Sequence, residues 1–85
     1  MAAPPEKPNL TREQRRALEL LASIPHGISE DLLALAHGFN RHMIAGLVEE
    51  GLATARREIV TAPGRTTIEI VRIRITDAGR SAIAD

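Results

Sequence analysis

The stretch SEDLLALAHGFNRHMIAGLVEEGL, running from Ser29 to Leu52, decides the fold, because it holds two helix starts on either side of one tight turn. Ser29 offers a side-chain oxygen to cap a helix, and Glu30 and Asp31 follow it where carboxylates suit the positive end of the helix dipole. Ile28 and Leu33 occupy the positions of a hydrophobic staple across that start. Leu32, Leu33 and Ala36 are the expected inner face of this short helix. Gly38 then supplies the residue that takes positive φ where the chain must turn sharply. Asn40 caps the next helix, Phe39 and Ile44 form a second staple pair, and Ile44, Leu47 and Val48 give a buried stripe that Gly51 ends.

Upstream, Thr11 and Gln14 have the spacing of a capping box, and Ala17, Leu18, Leu21 and Ile24 recur at helical period. Arg12, Glu13, Arg15, Arg16 and Glu19 are left mostly toward water, and Pro25 and Gly27 stop the helix. Residues 1–9 are proline-rich and are expected to form a disordered lead, with residues 10–85 as one domain. Downstream of Gly51 the period changes. Leu52 to Val60 and Ile68 to Ile75 are rich in β-branched residues, and Pro63-Gly64 between them is a type II turn pairing, so a two-stranded hairpin is expected, with its register left open. Val71, Ile73 and Ile75 share one face of it, while Ile68, Ile70, Arg72 and Arg74 share the other. Thr76 caps a last short helix, Asp77 to about Ala84, in which Ala82 and Ile83 are available to pack.

Composition narrows the function. The 85 residues suffice for one small domain. Phe39 is the only aromatic residue, so a stacking platform for single-stranded bases has no residues to build it. There is no cysteine, which removes disulfides, zinc fingers and thiol nucleophiles and leaves a cytoplasmic setting as the expectation. No segment approaches the roughly 20 apolar residues of a membrane span. His26, His37 and His42 match no metal-ligand spacing, and Ser23, Ser29 and Ser81 have no evident base, so neither a metal, a cofactor nor an enzymatic activity is expected. The formal charge is zero, but residues 1–50 carry five basic and seven acidic side chains while residues 51–85 carry six and four. That polarity permits a basic face with weak non-specific attraction to a polyanion.

Three short motifs, in order, resemble the winged helix-turn-helix domains of bacterial MarR-type transcriptional regulators. Ala34-Leu35-Ala36-His37-Gly38-Phe39-Asn40 looks like their helix–turn–helix junction, Leu47-Val48-Glu49-Glu50-Gly51-Leu52 is similar to the L-x-x-x-G-L ending of their recognition helix, and Ile75-Thr76-Asp77-Ala78-Gly79-Arg80 resembles the L-T-x-x-G-R segment after the wing. The resemblance implies an α+β fold: a three-helix core, a C-terminal two-stranded β-hairpin wing and a short closing helix. Asn40 to Gly51 spans about one helical turn less than such regulators use, so the third helix offers a groove less surface.

The function that the resemblance implies is transcription regulation through binding of double-stranded DNA. Asn40, Arg41, His42, Ala45 and Gly46 would then enter the major groove, with Arg56, Arg57, Arg65, Arg72 and Arg74 of the wing on the backbone. The competing expectation is a winged helix used as a protein-interaction module without DNA binding. Ile59, Val60, Ile68 and Ile70 lie far out on the hairpin and are the expected surface for a homodimer or another protein partner.

Overall fold

The computed structural model describes residues 10–61, 63, 64 and 66–84; the expected lead at residues 1–9 and the turn residue Arg65 lie outside them. In chain order the elements are α1 (Arg12–Ala22), β1 (Ile28–Ser29), α2 (Glu30–Leu35), α3 (Arg41–Glu49), β2 (Ala53–Thr61), β3 (Thr67–Ile75) and α4 (Asp77–Ile83). Among the described residues the fold is α+β, with four helices and one small antiparallel sheet.

Each helix starts where its capping residue stands. At α1 the capping box is complete: the Gln14 amide donates to Thr11 Oγ1 at 3.0 Å, and the Thr11 amide donates to Gln14 Oε1 at 2.9 Å. Ser29 Oγ accepts from the Leu32 amide, and Asn40 Oδ1 accepts from the amides of His42 and Met43. Between α2 and α3 the chain reverses at Gly38, at φ 73°, a conformation open to a residue without a Cβ. The Phe39 amide there donates to the Leu33 carbonyl at 3.0 Å, which carries the Phe39 side chain into the core.

The sheet corrects the expected two-stranded wing. It has three strands in the order β1-β3-β2, with Ile28 beside Ile73 and Ser29 beside Arg72. A two-residue strand shows no alternation, and here it is the extended backbone that a helix-capping residue adopts in any case, with Ser29 at φ −66° and ψ 145°. The hairpin register runs from Ala53 opposite Ile75 to Thr61 opposite Thr67. Gly64 in the turn has φ 87°, as the third residue of a type II turn requires.

The core is a single cluster in which Leu18, Leu21, Leu33, Ile44, Leu47, Leu52 and Ile73 are fully buried, with Ala17, Phe39, Ala53 and Ala82 around them. Val71 and Ile75 join Ile73 on the core face of β3, as expected. The expected inner face of α2 is corrected: Leu33 alone is buried, whereas Leu32 and Ala36 are exposed. With only six residues, α2 has room for one anchoring side chain against the core.

Two of the three sequence motifs prove to be one joint. The Leu52 carbonyl accepts from the Thr76 amide at 3.1 Å, and the Gly51 carbonyl accepts from Thr76 Oγ1 at 2.6 Å. Gly79 then lies so close to the Leu52 carbonyl that a Cβ would overlap it. The glycine, leucine and threonine of these motifs thus dock α4 onto the end of α3, where Arg80 also reaches the Ala22 carbonyl at the end of α1. Their role is structural.

Candidate functional site

The exposed start of α3 carries one cation, and that cation is taken. Arg41 Nη1 donates to Glu30 Oε1 and Arg41 Nη2 to Asp31 Oδ1, both at 2.9 Å, so the first turn of α2 clamps the guanidinium from two sides. The hydrogen bond to Asp31 is the leading cause that raises the Arg41 pKa above its already high ordinary value. A solvent-screened surface pair of this kind contributes little to the stability of the fold. Its effect on the local field is larger, because two carboxylates around one guanidinium leave the corner net negative. Asn40 spends its side-chain oxygen on the cap. His42 and Ala45 are exposed, Gly46 is half-buried, and no base-reading donor stands on α3 beyond Arg41 and His42.

On the hairpin, opposite residues share a face, so the register sorts the side chains. Arg56 stands directly opposite Arg72, and Thr54 opposite Arg74, all on the face away from the core. Glu58 lies on that face too, and Arg72 Nε donates to its Oε1 at 2.8 Å. Arg74 Nε donates to the His26 carbonyl at 3.1 Å. Arg57 is on the other face, 3.7 Å from Glu69. Arg56 has no counter-ion among the described residues, and Arg65 lies outside them.

The apolar residues of the hairpin separate. Val60 stands opposite Ile68, and Ile70 follows on the same face, whereas Ile59 stands opposite Glu69 on the other face, 74% exposed. The expected surface of Ile59, Val60, Ile68 and Ile70 is therefore three residues with Ile59 removed. In its place come β1 and the start of α2: Gly27, Ile28, Ser29 and Leu32 meet Val60, Ile68, Ile70 and the stem of Arg72 around an open groove of about 400 Å³. Leu32 is half-exposed on its rim, and Leu35, one turn further along α2, projects into solvent at 80% exposure. Both were missed as site residues. Their signal was the run Leu32-Leu33-Ala34-Leu35-Ala36, apolar around the whole of a short helix, which one core contact cannot bury.

Gly27 fixes the floor of this groove. It has φ 85°, and an added Cβ would meet the Ile73 carbonyl oxygen at 2.6 Å, so the chain passes flat against β3 before β1 forms. Among the described residues no helix is long and apolar enough to cross a membrane. Comparison of the chain with protein-family models, with curated proteins and with solved structures gives no match in any of the three.

Proposed function

We propose that this chain is a winged helix-turn-helix domain that works as a protein-interaction module, with the groove between α2 and the outer hairpin as its contact surface. The order of elements, the glycine-turned α2–α3 junction and the hairpin followed by α4 support the winged helix reading. One observation carries the functional part: three of the five large exposed hydrophobic side chains among the described residues, Leu32, Val60 and Ile68, line a single groove. Scattered exposed leucines need no explanation, but a contiguous apolar recess on a small domain is a binding surface in want of a partner. The clamped Arg41 removes the competing attraction of α3 for phosphate.

The test is a paired affinity purification of tagged wild type and Ile68→Asp from cells that express the chain naturally. A protein held by the wild type and lost with Ile68→Asp, but kept with Arg41→Ala, is the expected result. Equal recovery across all three variants contradicts the reading.

A DNA-binding reading, of the MarR-type regulator kind, has its own observation. Arg56 facing Arg72 is a like-charge cross-strand pair, a local destabilisation, and Arg74 adds a third guanidinium to the same face. Protection of an open sheet edge accounts for arginines on β2 but not for two on the central strand β3. Under this reading the wing, rather than α3, holds the phosphates. Arg56→Ala then weakens duplex binding and lowers its salt slope by about one, while Arg41→Ala leaves both unchanged.

A further inference from the structure

We infer that the partner seated in the groove is a second copy of this chain, related by a two-fold axis that places Leu35 of each copy in the groove of the other. This rests on the groove being a protein-contact surface and names its occupant. An isologous dimer requires one patch that carries both a projection and a recess, because each copy presents the same surface to the other. This patch has both. Leu32 lines the recess, and Leu35, three residues on and therefore on the same side of α2, is the projection.

The groove selects an apolar visitor. Its lining is Gly27, Ile28, Leu32, Val60, Ile68 and Ile70, with Ser29 and Arg72 as its polar members, and the Arg72 Nε is already bonded to Glu58. Apart from Ile59, on the other face of the hairpin, Leu35 is the one large exposed hydrophobic residue among the described residues that does not itself line the groove. The chain thus carries a recess and a side chain with nothing else to cover it.

Charge complements the fit. The start of α2 holds two carboxylates, Glu30 and Asp31, against the single guanidinium of Arg41. The hairpin face that continues from the groove holds Arg56, Arg72 and Arg74 against the single carboxylate of Glu58. Seating Leu35 in the partner's groove lays α2 across the partner's hairpin, so the acidic excess of each copy meets the basic excess of the other, twice. Arg56, which has no counter-ion within its own chain among the described residues, gains one. The whole chain is formally neutral, so no long-range repulsion opposes the pairing.

Sedimentation velocity of the whole chain over a micromolar to millimolar series tests the assignment. The wild type is expected to sediment as a dimer of the 9.2 kDa chain. Leu35→Glu and Ile68→Glu are each expected to weaken that dimer at least about tenfold with an unchanged far-UV spectrum, as an anchor in an interface does. Ile59→Glu, on the opposite face, is expected to leave it intact. A wild type that stays monomeric at millimolar concentration overturns the second-copy assignment, and so does a dimer indifferent to Leu35→Glu. If the wild type is monomeric while Ile68→Asp still loses a co-purified protein, the second copy is refuted and the interaction surface stands; if that loss is also absent, both fall.

Discussion

Gly79 and Gly46 are both helical glycines, and only one is required by its surroundings. A Cβ on Gly79 would overlap the Leu52 carbonyl, whereas a Cβ on Gly46 would meet nothing within 4 Å. Gly79→Ala is expected to lower stability by about 1–3 kcal/mol through overpacking, and Gly46→Ala to raise it by about 0.5–1 kcal/mol by helix propensity alone. Thermal unfolding of the two variants checks this, and a neutral Gly79→Ala would remove the close docking of α4 on Leu52. At Arg41 the decisive neighbours are the carboxylates. The double variant Glu30→Gln, Asp31→Asn frees the guanidinium and turns the corner from net negative to positive. We expect it to show a stronger salt-sensitive association with duplex DNA than the wild type, with little change in stability. Fluorescence anisotropy with a labelled random duplex reads this directly, and equal binding by the two proteins would show that the clamp does not govern the field at α3.

At the scale of elements, helix starts were the legible part of the sequence. Thr11, Ser29, Asn40 and Thr76 each cap the helix that their side-chain chemistry indicated, because capping is a contact within four residues and needs no tertiary information. β2 starts and ends one residue later than expected, β3 starts one residue earlier and ends at Ile75 as expected, and the pairing shows which residues face one another. β1 was not legible: Ile28 and Ser29 become a strand only because Gly27 lets the chain lie against Ile73. The face of α2 was misassigned for a related reason, since so short a helix is oriented by what it abuts and not by its own period. The caps also differ in reach. Thr76 holds both the Gly79 amide and the Gly51 carbonyl, while Thr11 serves its own helix. Thr76→Ala is therefore expected to cost about 1–3 kcal/mol and Thr11→Ala nearer 0.5–1 kcal/mol, measured by denaturant midpoint, and the reverse order would contradict the tertiary role of Thr76.

For the whole molecule, the sequence marks individual residues but not the partners they meet. The arginines and β-branched residues of the hairpin were visible in the chain, but their partners lie on other strands and helices, so neither the neutralisation of Arg41 by α2 nor the separation of Ile59 from Val60 could be read from spacing. The composite groove was invisible for the same reason: its two walls are about thirty residues apart in sequence and meet only once β1 brings α2 beside β3. The assembled surface then divides into an acidic α2–α3 corner, a basic stretch of hairpin and an apolar recess between them, a pattern that suits contact with protein better than with a polyanion. A residue-resolved amide NMR titration with short random duplex DNA, at low and then higher salt, tests this most directly. The expected result is a folded, well-dispersed spectrum with no salt-sensitive shifts from Asn40 to Gly46 or at Arg56, Arg72 and Arg74; shifts clustered on either stretch and abolished by salt would contradict it and make that face a DNA-contacting one.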